Sequence, residues 1–530
     1  MARGAASKTA GTRVQSTTRS MRMATPEPPI VQTSLVDATV WEQQLARWLE
    51  PYIDLLGDAR RKPWLPIYVR GLLSAAERTS LTPMASHLSR QDGIAAKANY
   101  HGLQQFMTYS AWSVAPMERL LAQQADMILG GDDAVLIVDD TASQKQGKHS
   151  VGVAHQYCGE VGKLANCQCF VTLTLAKDEV PIPLALKLYL PADWTEDQER
   201  CAKVGVPEAV RIDQYDKTKI DVALDEIVRL RETGVRFGVV TADAAYGTSA
   251  AFRQGIEALG YRYAVGVQSH TRVYALDATI VYPKRSTKLR TGTKYEAKQP
   301  RRIALGRDTA ATEYPVGRLR VRPVASEPAH SVAELLRGAQ WQQVQWRQGT
   351  KGMLQGRWPA VRVRAADGEE GAQREHMPGT AVWLVGEQRP DGKRRYYFTN
   401  HPARTSLKAL VAAIRSRWVC EQAHQQLKQE LGLDHFEGRS WRGVEHHTFL
   451  TMLSFAFRQS LRLKDRDRTD GLRMTKNFTT LTAGQRPAAI TFTACGPTCP
   501  HCHAHLDDGL LSALSADAHV PSTPLKNVYK

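Results

Sequence analysis

Two short apolar runs, each ending in aspartate, constrain this chain more than any other feature. Ala134-Val135-Leu136-Ile137-Val138 is unbroken, rich in β-branched residues and followed by Asp139-Asp140-Thr141. Val235 to Thr241 repeats the arrangement and leads into Ala242-Asp243. Runs of this length suit central strands buried on both faces, with acids at their exits. An aspartate after a buried strand is more often a helix cap or turn former than a ligand, so neither acid is diagnostic alone.

The segments around these runs supply an order. Cys167 to Ala176 and Val180 to Leu190 read as strands, Lys219 to Arg231 as an amphipathic helix, Phe252 to Leu259 as a helix and Tyr261 to Val267 as a strand. Three strands, helix, strand, helix, strand is the order of the ribonuclease H-like fold, in which the first and fourth strands lie side by side. The expected fold class is therefore α/β: a ribonuclease H-like catalytic core interrupted by a β-rich insertion, with an N-terminal helical domain. The boundaries read as a basic arm over 1–35, a helical domain over 36–130 suited to DNA binding, and core over 131–270. The β-rich insertion follows over 271–399, then core again over 400–465 and a polar tail over 466–530. At 530 residues the chain exceeds what one compact core usually reaches.

Lysine and arginine number 70 against 53 acids, a net charge of +17, which favours a polyanionic partner such as nucleic acid. The longest apolar runs fall well short of a bilayer span, so no membrane is expected. The first thirty residues carry Arg3, Lys8, Arg13, Arg19 and Arg22 without the apolar core of a secretory signal, a composition shared with mitochondrial transit peptides. Eight cysteines at irregular spacing fit a reducing cytoplasm better than a disulfide framework.

The third acid has a stronger local signature. In the run from Arg417 to Lys428, Arg417 stands four before Glu421, His424 three after it and Lys428 seven after it. At 3.6 residues per turn these fall within about sixty degrees of one another. One helix face thus offers a carboxylate flanked by two cations suited to phosphate, Arg417 as a planar fork and Lys428 as a point charge. A solvated face stabilised by charge pairs one turn apart would look similar.

This helix resembles the signature of bacterial insertion-sequence transposases of the cut-and-paste DDE group: Tyr, two residues, Arg, three residues, Glu, six residues, Lys. Arg417, Glu421 and Lys428 match, whereas Ile414 stands at the Tyr position. Further stretches resemble one family within the group: Val138 to Thr141 with Lys145 to Val153 and Gln156 to Gly159, then Ala242 to Gly247, and Gly432 to Trp441.

The resemblance implies a metal-binding catalytic triad of Asp139, Asp243 and Glu421, with two Mg²⁺ ions for which Mn²⁺ substitutes. Asp139 is preferred to Asp140 because the family tolerates another acid at the second place. Arg417 and Lys428 would grip DNA phosphates, Trp418 would stack on a displaced base, and Lys145, Lys148 and His149 would meet substrate phosphate. A tryptophan of the insertion (Trp341, Trp346, Trp358 or Trp383) would hold a flipped base, although a core aromatic is the commoner role for each. The implied partners are double-stranded DNA, as terminal inverted repeats and target, and a second copy of the chain on paired ends; the implied location is the bacterial cytoplasm, at the nucleoid. Rivals are a ribonuclease H-like nuclease or resolvase that cuts without joining, and a catalytically silent domesticated DNA-binding protein. Cys495, Cys499, Cys502, His503 and His505 form a compact group with zinc-like spacing but no second pair to close it.

Overall fold

A computed structural model describes residues 38–282 and 323–470, apart from 75–77, 93–95, 350–351, 372–374 and 390. The basic arm, the cysteine and histidine group and nearly all of the tail lie outside the described residues.

The described residues begin with five α-helices, α1 (Ala38–Leu55), α2 (Trp64–Leu73), α3 (Leu81–Asp92), α4 (Ala96–Gln104) and α5 (Ala115–Leu129), with a π-helical turn at Gln105–Tyr109 between the last two. Four strands follow: β1 (Val135–Gln144), β2 (Ala154–Cys158), β3 (Lys163–Lys177) and β4 (Val180–Leu188). Next come α6 (Ala192–Thr195), α7 (Gln198–Lys203), α8 (Glu208–Gln214) and α9 (Lys219–Glu232), the last started by a capping box between Thr218 and Asp221. Then β5 (Val239–Ala242), α10 (Ala244–Gly247), α11 (Ala250–Ala258) and β6 (Arg262–Val267) alternate.

The second apolar run forms a shorter strand than its sequence suggests. The Arg236 amide donates to Asp126 Oδ1 (2.8 Å) and its carbonyl accepts from Gly131 N (3.1 Å). Those groups are used before the ladder begins, so β5 starts only at Val239.

Beyond β6 the structure is mainly β: β7 (Arg272–Ala275), β8 (Ile280–Val281), β9 (Val324–Ala325) and β10 (His330–Ser331), then a single turn α12 (Val332–Leu335). β11 (Gln342–Gly349), β12 (Gly352–Trp358), β13 (Ala360–Glu370), β14 (His376–Gln388) and β15 (Arg394–Thr399) complete this part. It does not stand apart from the first sheet. β15 pairs antiparallel with β6, Phe398 opposite Val265, so one mixed sheet runs β10-β7-β13-β14-β15-β6-β5-β1-β3-β2, with β4 also on β3. Three helices close the described chain: α13 (Leu407–Arg415), α14 (Trp418–Gln429) and α15 (Trp441–Asp470).

Strand alternation sorts the core into two layers. Leu136 and Val138 of β1 join the large cluster built with α2, α5, α9, α11 and α15, while Ile137 packs with Val419 and Cys420 of α14 on the opposite face. In β5, Val240 and Ala242 face the large cluster, and Val239 faces Leu410, Val411 and Ile414 of α13. Ile414 is thus a core residue. No helix among the described residues is long and apolar enough to cross a membrane.

One buried ion pair fastens the later β segment to the sheet's acid-bearing end. Arg253 of α11 donates to Asp367 of β13 (2.6 Å) and to the carbonyls of Gly247 (2.6 Å) and Thr248 (3.0 Å), with both side chains under a tenth exposed. Asp367→Ala leaves the guanidinium buried without its counter-charge. The expected loss is about 3–5 kcal/mol, read as a lower urea midpoint.

Candidate active site

The two aspartates come together because β1 and β5 are parallel neighbours in a fixed register. Val138 lies opposite Ala242, so Asp139 and Asp243 each stand one residue beyond a paired position. Residues 135, 137 and 139 share one face of β1, and 239, 241 and 243 continue the same face from β5. That face is the one covered by α13 and α14.

Asp243 caps α10, its Oδ1 accepting from Ala245 N (2.9 Å) and Tyr246 N (3.3 Å). The turn lies hard against β6: a β-carbon on Gly247 would meet Gly266 O at 2.1 Å, and one on Gly266 would meet Ala244 N at 2.8 Å. Glycine at both positions lets the backbone carrying Asp243 approach the sheet this closely.

Asp139 is held from two sides. Its Oδ1 accepts from the Asp140 amide (2.9 Å), and its Oδ2 accepts from Arg417 Nη1 (2.5 Å). The other terminal nitrogen of Arg417 donates to Glu421 Oε1. One guanidinium therefore joins the acid of β1 to the acid of α14, which places the two carboxylates less than about a nanometre apart, given the small span of a guanidinium. Burial pushes the Asp139 carboxyl up to about 6, against the pull of Arg417 and with the added push of Asp243 and Asp140.

Asp140 points the other way, as alternation requires. Its Oδ2 accepts from Lys219 Nζ (2.8 Å) and its Oδ1 from the Tyr246 hydroxyl. Lys219 also reaches Cys169 Sγ (2.8 Å); burial opposes its charge, but Asp140 and that sulfur outweigh burial and raise its pKa. Burial drives the Tyr246 hydroxyl pKa up, and Asp140 adds to this, so Tyr246 stays a donor. Tyr246 thereby links the middle of β1 to the turn bearing Asp243. Sequence reasoning missed this link; the signal available was Tyr246 lying three residues after Asp243, while nothing local marks Lys219.

The remaining expected site residues are dispersed. Lys428 pairs with Glu160 (3.3 Å) beyond the end of β2. Trp418 is half-buried, with Arg347 4.2 Å over its ring. Lys145 donates to Phe436 O (2.7 Å) and ties down the loop after α14, whereas Lys148 and His149 are exposed. Trp358 is fully buried, edge-on to Trp346, with Arg415 near both rings. Trp341 lies under Arg394, and Trp383 lies near Arg362 and donates to Pro402 O (3.1 Å).

His424 turns inward, its Nε2 3.0 Å from Thr172 Oγ1 and 3.4 Å from Cys420 Sγ. Burial lowers its pKa to about 3, with Lys428 and Arg417 assisting, so the ring is neutral. Asp139, Cys420 and His424 present donor atoms within 4.8 Å of one another. A thiol and an imidazole are softer donors than Mg²⁺ prefers. The carboxylates of Asp139, Asp243 and Glu421 lie toward one face of the sheet and are the hard-oxygen donors such an ion prefers, although their oxygens do not all lie within 4.8 Å of one another.

The chain is 27% identical over 255 residues to the "Probable transposase for insertion sequence element IS701" of Microchaete diplosiphon; the match takes in 48% of this chain and 59% of that relative. The chain thus spans under two-thirds of that relative's length. A piggyBac transposase synaptic complex with hairpin DNA, solved by cryo-electron microscopy, aligns over 87% of each chain at 10% identity with a TM-score of 0.32. Residues 51–353, which include Asp139 and Asp243 and end before Glu421, match the family described as DDE superfamily endonuclease. Because that match takes in more than half of its length, the chain belongs to the DDE superfamily of endonucleases.

Proposed function

We propose that the chain is the transposase of an insertion-sequence element, which binds the terminal inverted repeats, cleaves them and joins the freed 3′-hydroxyl ends to target DNA. Its core is read as ribonuclease H-like, on the strength of the order β4-β3-β1-β5-β6 with β1 and β5 parallel. The observation that carries the proposal is the bridge of Arg417 between Asp139 and Glu421, beside the strand end that bears Asp243.

In this reading Asp139, Asp243 and Glu421 hold divalent cations, Mg²⁺ or Mn²⁺ in its place. Bound there, such ions activate an attacking oxygen and stabilise a leaving one. Asp243 has its Oδ1 committed to two backbone amides, which fixes the carboxylate and leaves Oδ2 for a ligand. Arg417 offsets the charge of Asp139 and Glu421, each of which engages one of its terminal nitrogens, and so holds the two acids together. Water attacks the phosphodiester at the element's end, releasing a 3′-hydroxyl, which then attacks a target phosphodiester; no covalent protein intermediate is required. Handling both ends together calls for two copies of the chain.

The test uses purified chain, Mg²⁺ and duplexes ending in the inverted repeats that flank its reading frame. Joined product is expected; cleavage without any joined product would assign a nuclease instead. Tyr246→Phe bears on positioning. It removes the hydroxyl that ties Asp140 to the turn of Asp243, and is expected to lower the turnover rate about 10–100-fold while leaving DNA affinity unchanged. A fall in affinity of the same size would contradict this role.

A further inference from the structure

Away from the acids, a cleft of about 870 Å³ opens between the helical entry, the β1–β2 loop, α7 and the loop after α14. Lys148, Arg200, Lys203 and Arg439 are the cations of its lining, with His149 beside them. The acid among its lining residues, Glu437, already pairs with Arg78 (3.0 Å). Lys148, Lys203 and Arg439 are exposed, and none pairs with a carboxylate among the described residues. Arg200 is fixed: its guanidinium stacks 3.8 Å over the buried Trp194 ring and donates to Lys148 O (3.0 Å).

The walls are also joined to one another. Val151 N donates to Arg439 O (3.1 Å), Trp441 N to Val204 O (2.9 Å) and Arg442 Nη1 to Tyr109 O (3.2 Å). The cations therefore sit on a braced frame rather than on separate surface loops. The opening is far larger than a single phosphate ion needs, and Tyr100 and Tyr109 at its edge offer rings to a sugar or base.

Two elements lead to it from the acids. From Asp139, β1 runs on to Gln144 and the loop that carries Lys148, roughly 20 Å at strand rise. From Glu421, α14 runs to Gln429 and the loop that carries Arg439. At 3.4 Å per nucleotide, 20 Å is about six base pairs.

We propose that this cleft seats the sugar–phosphate backbone of the DNA flanking the cut, about six base pairs from the reacting phosphate. The inference rests on the transposase reading above and adds to it a second contact region, in which Lys203, Arg200 and Arg439 act together with Lys148 and His149.

The test is a salt titration of binding to a duplex of arbitrary sequence, about 30 base pairs long, followed by fluorescence anisotropy. Lys148→Ala, Lys203→Ala and Arg439→Ala together are expected to make the slope of log affinity against log salt shallower by about two to three, and to weaken binding roughly 10–100-fold at physiological salt. Each single variant is expected to lose about 0.9 of slope, which keeps the test sound if the triple variant folds poorly. A control triple at the exposed Arg60, Arg119 and Arg231 is expected to leave the slope unchanged. An unchanged slope in the cleft variant, or equal losses in both triples, overturns the cleft while leaving the transposase reading intact. A wild-type chain that binds no duplex at all overturns both.

Discussion

Asp243→Asn is expected to reduce DNA cleavage and joining by about a thousandfold or more, at least ~4 kcal/mol on the barrier, with little change in DNA affinity or folding. The separation follows from what Asp243 does in the structure. As the cap of α10 it needs an oxygen to accept from Ala245 and Tyr246, and asparagine supplies that oxygen as well as aspartate does. What asparagine lacks is the negative charge, so a cation bound to three carboxylates loses one of them. Parallel gel assays of cleavage and binding, with thermal unfolding as a control, check the prediction. Retained cleavage would remove Asp243 from the catalytic set, and lost folding would show that the cap requires charge.

Arg417→Gln is expected to lower stability by about 3 kcal/mol at pH 8 and by clearly less at pH 5. The sign follows from Asp139. In the folded chain burial holds its pKa up to about 6, whereas in an unfolded chain it sits near the ordinary aspartate value of about 4. Between those values the folded state binds more protons, so this group's contribution to stability is lost as pH rises. Arg417 is the cation that opposes this effect; without it the folded pKa climbs further and the window widens upward. Melting temperatures of wild type and variant at the two pH values provide the measurement. Equal losses at both would show that Arg417 does not neutralise Asp139. Cleavage is expected to fall about a hundredfold or more in the same variant, because the cation that holds Asp139 and Glu421 together is gone.

Much of this arrangement could be read from residue order, and the reason is periodicity. β-Branched runs located β1 and β5, although β1 continues past the acids to Gln144 and β5 begins only at Val239. The preference for Asp139 over Asp140 comes from the family resemblance; alternation adds that the two adjacent side chains face opposite layers. The helical spacing around Glu421 anticipated the contact with Arg417 one turn earlier. Contacts between elements far apart in sequence were not legible. Nothing near Lys219 announces Asp140, and nothing near Arg253 announces Asp367, because those pairings exist only once the sheet has formed. The pairing of β15 with β6 was hidden for the same reason: a β-rich segment shows its strands in sequence but not the edge it will join. Lys145 shows the same limit: its ammonium donates to Phe436 O, a backbone acceptor that no pattern of side chains reveals.

Local cleavage of the polypeptide by bound iron reads out whether Asp139, Asp243 and Glu421 form one cation pocket. Fe²⁺ loaded into the full chain, with ascorbate and peroxide, generates hydroxyl radicals that cut backbone within a few ångströms of the ion. Cuts are expected near positions 139, 243 and 421, all suppressed together by excess Mg²⁺ and by Asp243→Asn. Cuts that omit any one of these three positions, or that persist unchanged in Asp243→Asn, would contradict a single pocket.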